Sequence, residues 1–239
     1  MVTIRRKLWM NTHITQFKPV LILLYVTLAC TIWKCFSIDI PVEQIENEWW
    51  TAFWLGTHKP VGAFLLFAVG PVCIVKFLLR EKLSDYGIRL GIPLLTFRSF
   101  FVMSPFMVLL AYLTSFNPAF FEVYPFNVAV RPQHVQVGTA VILLNAVFYF
   151  GYYLGWEMLF RGFLQHGLAP SCGIPTAILI QTLASTMLHY GHPNIEVFAS
   201  IAAGLVWGWL AVRTQSILSG LTQHTLLGIV LDTALILRE

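Results

Sequence analysis

Residues 137–168 read VGTAVILLNAVFYFGYYLGWEMLFRGFLQHGL, an apolar run carrying just two formal charges, Glu157 and Arg161. About twenty apolar residues in a helix cross the hydrocarbon core of a bilayer. This run is longer, so it must tilt or project beyond one face. In a helix, Glu157 and Arg161 lie one turn apart on the same side. An ionised side chain at the bilayer centre costs on the order of 2.5–3.5 kcal/mol on the insertion scale. Two opposite charges held there at helical contact spacing therefore read as a pair. Such a pair either clamps helices together or belongs to a functional site, and at this point both readings stand.

Outward from this run, six more apolar stretches have span-like length, near 19–37, 60–79, 98–115, 174–190, 195–212 and 216–236. The chain of 239 residues is 57% hydrophobic and 11% charged, with a mean hydropathy of +0.73. A soluble domain carries about a quarter charged residues, which excludes that class. The expected fold is all-α, a polytopic transmembrane bundle of about seven spans with its functional core in the last four. Residues 1–82 read as N-terminal scaffold spans and residues 83–239 as the core.

The net charge of +4 does not point to nucleic acid, because the basic residues sit at segment ends and form no stripe. Arg5, Arg6, Lys7, Lys18, Lys76, Arg80, Lys82, Arg89, Arg98, Arg161 and Arg213 fall on or toward one side. Lys34, Lys59, Arg131 and Arg238 fall on the other, with the acidic loop of Asp39, Glu43, Glu46 and Glu48. The positive-inside rule then predicts a multi-pass protein of the cell membrane with a cytoplasmic N-terminus. The first span, preceded by basic residues, reads as a retained signal anchor. Trp49, Trp50 and Trp54 read as an interfacial aromatic belt, and the segment 116–136 as an irregular connector rather than a lid. Cys30, Cys35, Cys73 and Cys172 show no paired spacing, so they suggest packing rather than a disulfide framework or a zinc ribbon.

The ionisable residues inside the spans are concentrated in the second half. At ~1.5 Å of rise per residue, Glu157, Arg161, His189, Glu196, His224 and Asp232 fall within a slab about 15 Å thick. One buried polar site could hold them all. Each also has a plain structural explanation. His189 and His192 flank a helix end at Pro193 and could cap carbonyls. Glu196 is a first-turn acid favoured by the helix dipole, and His166 sits near an interface. Asp232 is either a hydrogen-bond partner for His224 or a polar anchor near the chain end. His224, deep in an apolar helix, is the hardest to explain structurally.

The motifs around these residues resemble those of the CAAX prenyl protease and bacteriocin-processing family, also called Abi, of intramembrane endopeptidases. That family shows Glu-Glu-x-x-x-Arg, Phe-x-x-x-His and His-x-x-x-Asn on successive helices. Here the corresponding residues are Trp156-Glu157-Met158-Leu159-Phe160-Arg161, Ser185-Thr186-Met187-Leu188-His189 and His224-Thr225-Leu226-Leu227-Gly228. Gly204–Arg213 resembles the family's glycine-containing helix, and Leu83–Ile88 its pre-core linker. Three positions depart from the pattern: Trp156 replaces the first acid, Ser185 the phenylalanine and Gly228 the asparagine. Gly191, Pro193, Glu196 and Asp232 resemble a Gly-x-Pro-x-x-Glu and late-Asp pattern of one branch, with Glu196 and Asp232 available to replace lost polar groups.

The resemblance implies an intramembrane endopeptidase that cleaves a membrane-associated peptide or protein with a glutamate-activated water and no cofactor. Glu157, helped by His189, would take the proton of water, with Arg161 holding it ionised and Glu196 and Asp232 in support. His224 would donate to the oxyanion. A zinc site built from His189, His192, His224 and an acid is the metal-dependent alternative. Two further alternatives are an inactive relative acting as a scaffold or bacteriocin-immunity protein, and a proton- or ion-coupled transporter. Confinement of the polar residues to one half of the chain speaks against transport, which favours paired repeats.

Overall fold

A computed structural model describes residues 2–37, 49–130 and 139–238. The acidic loop residues Asp39, Glu43, Glu46 and Glu48, and Arg131, lie outside them. Every regular element among the described residues is helical. Helix α1 (Val2–Phe36) precedes a short α2 (Trp49–Gly56), on which Trp50 and Trp54 are exposed. Helix α3 begins at His58–Ala63 and runs on through two wide π-helical stretches, Phe64–Val69 and Ile74–Leu79. Helix α4 (Pro93–Thr114) opens on a proline, which the first turn tolerates because its amide is unpaired there anyway.

Helix α5 (Thr139–Glu157) continues as a π-helical stretch, Met158–His166, and then as Gly167–Cys172. Three helices follow: α6 (Ile174–Leu188), α7 (Asn194–Thr214) and α8 (Leu218–Leu237). Six helices are long and apolar enough to cross a membrane, and α6 is a shorter apolar one. The chain is a multi-pass integral membrane protein. The seven stretches expected from hydropathy are these seven helices.

The π-helical stretch of α5 is the post around which the bundle is built. Met158 to Gln165 are all buried, and this stretch touches α1, α3, α6 and α7. Along its upper side run Trp33 of α1, Phe67 of α3 and Trp156 and Phe160 of α5, with ring centroids 4.9–6.4 Å apart. Such buried aromatic faces supply contact area in a medium where lipid tails match apolar side chains and give helices little other reason to associate.

Small residues and amides join α6 and α7 to this post. Gln181 of α6 donates to the Gly204 carbonyl and Gln165 of α5 to the Gly208 carbonyl, both at 2.8 Å. A Cβ at Gly204 would come within 2.8 Å of the Thr182 side chain. The glycines, four apart on one face of α7, permit the close approach that these bonds need. At one end of the bundle Lys18 pairs with Glu81 at 2.7 Å, and Tyr86 donates to the same carboxylate. Burial, reinforced by Glu81, holds the Tyr86 phenol above its ordinary pKa, so it stays a donor. At the opposite end Lys34 donates to the carbonyls of Leu188 (3.4 Å) and Tyr190 (3.0 Å), capping the last turn of α6.

Candidate active site

Glu157 ends the α-helical part of α5, and Arg161 lies in the π-helical stretch that follows. They meet as the sequence spacing suggests: Arg161 Nη1 is 3.2 Å from Glu157 Oε1, with the two side chains 2% and 0% exposed. His224 of α8 donates from Nδ1 to the same Oε1 at 3.0 Å. Gly220, one turn earlier on α8, makes room for the acid, since a Cβ there would overlap Glu157 Oε2. The imidazole of His224 lies against Tyr153 and Trp207, with ring centroids at 4.3 and 4.5 Å. Trp207 is fixed by its Nε1 bond to Gln223 Oε1 at 2.9 Å, and the Arg161 guanidinium lies 5.5 Å from the Trp207 ring. His224 is thus packed against two aromatic rings and held at Nδ1, leaving Nε2 as its remaining polar atom.

A second group forms where α6 ends and α7 begins. His189 caps α6 and donates from Nδ1 to the Ser185 carbonyl at 2.8 Å. That bond directs its Nε2 away from the helix, 3.9 Å from Glu196 Oε1. Glu196 lies in the first turn of α7. Its Oε1 accepts from His192 Nδ1 at 2.9 Å and from the Tyr124 hydroxyl at 2.6 Å. Tyr124 belongs to the connector between α4 and α5. Burial, together with the negative charge of Glu196, pushes its phenol well above the ordinary pKa, so it acts as a permanent donor to the carboxylate.

Both groups face one cavity of about 370 Å³. Its polar wall includes Tyr124, Tyr153, Arg161, His189, His192, Glu196 and His224. Its apolar wall includes Met103, Phe106 and Met107 of α4, Ala199 and Ala203 of α7, and Trp33 of α1. Glu157 is not on this wall; it is fully buried and reaches the cavity through the partner it holds, His224. Trp156 is on the wall, and its indole meets both catalytic-candidate imidazoles, with centroids 5.3 Å from His189 and 6.2 Å from His224. At the position where the family pattern has its first acid, this chain places a bulky apolar ring.

Residues 137–230 match the family model described as type II CAAX prenyl endopeptidase Rce1-like. Over that stretch the chain is similar to the Rce1-like family. Neither the curated proteins nor the solved structures contain a match. The Rce1-like region runs from the start of α5 into α8 and includes Glu157, Arg161, His189, His192, Glu196 and His224. Trp33, Tyr124 and Asp232 lie outside it.

Five of the six expected residues thus gather in two adjoining groups, Glu157–Arg161–His224 and His189–Glu196. Asp232 is placed elsewhere: its Oδ2 accepts from Asn145 Nδ2 of α5 at 3.3 Å, two turns along α8 from His224. The ligands of the zinc alternative are divided, with His224 on Glu157 and both His189 and His192 beside Glu196. Among the described residues, no three His, Cys, Asp or Glu side chains are arranged to share a metal. Sequence reasoning assigned no role to Tyr124, Tyr153 or Trp33. In a chain with 8 Tyr, 8 Trp and 19 Phe, aromatic residues in apolar runs carry no signal that separates wall from site.

Proposed function

We propose that the protein is an intramembrane endopeptidase that hydrolyses a membrane-associated peptide with a carboxylate-activated water. The observation that carries this reading is the pairing across one apolar cavity of an acid group, Glu196 with His189 and His192, and a fixed imidazole, His224. Glu196 is the carboxylate that lines the cavity, so it is assigned the proton of the attacking water. Tyr124 and His192 hold its Oε1, and the unprotonated Nε2 of His189 assists beside it. A positioned general base is typically worth ~10²–10⁴ in rate. His224, oriented by Glu157 at Nδ1, is assigned as the imidazolium, so that its Nε2–H faces the carbonyl oxygen. The substrate reaches the site from the bilayer, where Met103, Phe106 and Met107 of α4 offer an apolar surface. By the lysine and arginine bias the N-terminus is cytoplasmic.

A second reading rests on the 3.0 Å contact between His224 and Glu157. In it Glu157 is the base expected from the sequence, and it acts through the imidazole.

The test uses two fluorescence-quenched peptides in liposomes, one a farnesylated CAAX peptide and the other an unmodified single-span peptide. Under the preferred reading Glu196→Gln lowers cleavage at least ~10²-fold, while Glu157→Gln retains more activity. If Glu157→Gln abolishes cleavage and Glu196→Gln is as active as wild type, the second reading replaces the first. Cleavage of neither peptide by the wild-type protein would leave the inactive relative as the reading.

A further inference from the structure

The slot left by Gly228 is filled in an informative way. His224 and Gly228 are four apart and therefore share one face of α8. A Cβ at residue 228 would overlap the hydroxyl oxygen of Tyr153 and two of its ring carbons. The phenol of Tyr153 thus occupies the space that any side chain at 228 would need, one helical turn from His224. Its ring lies 4.3 Å from the imidazole, and Tyr153 lines the cavity. Phe126 donates its amide to the neighbouring Tyr149 hydroxyl, whereas the Tyr153 hydroxyl has no hydrogen-bond partner among the described residues. A phenol held beside a fixed imidazole, with an unused O–H on a site wall, is a group placed to donate to a ligand.

We infer that the Tyr153 hydroxyl is a catalytic donor that stabilises the oxyanion together with His224, and that Gly228 exists to admit it. The inference rests on the endopeptidase reading above. In the reaction, water oxygen bonds to the scissile carbonyl carbon, its proton passes to the carboxylate, and the C=O π pair moves onto oxygen. Tyr153 O–H and the Nε2–H of the His224 imidazolium, whose Nδ1–H is held by Glu157, donate to that oxygen. Collapse re-forms the C=O bond and breaks the C–N bond, and the departing nitrogen takes the proton from the carboxyl group. No reactant beyond peptide and water is required. Two donors converging on one developing charge make a preorganised oxyanion site, and a neutral phenol offers its proton whatever the charge state of His224.

The test is Tyr153→Phe, which keeps the ring and its packing and removes only the hydroxyl. With the farnesylated and single-span peptides above, kcat should fall ~10²–10³-fold with KM within about twofold. Affinity for a phosphinate peptide, which carries the tetrahedral oxyanion geometry, should weaken by a similar factor, while affinity for the uncleaved peptide held by a Glu196→Gln protein should not change. A merely structural tyrosine would move both affinities together. Gly228→Ala, which displaces the ring, should give a comparable loss, and adding Tyr153→Phe to it should cost little more. Wild-type kcat in Tyr153→Phe, alongside inactive Glu196→Gln, would overturn this inference and leave the endopeptidase reading standing. A wild-type protein that cleaves neither peptide would overturn both.

Discussion

The Glu157–Arg161 pair gives the sharpest test of the bundle's energetics. Both side chains are almost wholly out of contact with solvent or lipid. Arg161→Met keeps most of the volume but leaves the Glu157 carboxylate with only His224. Breaking a buried pair from one side costs about 3–5 kcal/mol, and loss of the guanidinium from the face of Trp207 adds about 0.5–2 kcal/mol. Roughly 5 kcal/mol is expected, which is about 10³–10⁴-fold in the unfolding equilibrium. Glu157→Gln keeps an acceptor for Arg161 but strands its charge, at about 3 kcal/mol. The double variant leaves no bare charge, so it should be more stable than Arg161→Met alone, with a coupling of about 1–3 kcal/mol. Reversible unfolding in mixed micelles, titrated with SDS and followed by helical circular dichroism, measures all four corners of the cycle. Single losses below about 1 kcal/mol, or losses that simply add, would refute the view that the two charges are buried as one unit.

The remaining predictions concern packing, orientation and the far end of the bundle. Gly204→Val should destabilise by about 1–3 kcal/mol, because its side chain would have to displace Thr182 and loosen the bond from Gln181 to the Gly204 carbonyl; a thermal melt in detergent reads this. In a chain retaining only Cys172, impermeant thiol reagents should label from the cytoplasmic side; labelling from outside would invert the proposed topology. Lys34→Ala frees the carbonyls of Leu188 and Tyr190 and should lower peptide cleavage several-fold with little change in secondary structure, whereas Lys34→Arg should retain most activity.

Much of the architecture is legible in hydropathy alone, because a bilayer leaves the backbone few choices besides the helix. The Glu157–Arg161 contact is also legible, since helical spacing sets it without help from the rest of the chain. The distribution of the other polar residues is not. Counting rise along each span gives depth but says nothing about rotation about the helix axis or the choice of neighbour. Asp232 therefore has a suitable depth, yet it turns to Asn145, while Glu157 takes the imidazole of His224. Nor does the sequence show that the connector after α4 lays Tyr124 on Glu196. That contact joins residues 72 positions apart, and an irregular segment has no periodicity from which to read it.

One feature of α1 bears on how such a protein can change over time. Trp33 lines the cavity and Lys34 holds the turn that carries His189 and His192, yet both precede the family-matched core by about a hundred residues. Adjacent in the chain, they touch different parts of the candidate site: one lines the cavity and the other holds the turn that bears two imidazoles. On the endopeptidase reading proposed above, drift in the opening helix would retune which peptides fit, and how fast they react, with every core motif untouched. A chimera that grafts a relative's first helix onto this core would exchange preference rather than merely swap an anchor. Diversity among such proteins should accordingly be sought upstream of the residues that define their kinship.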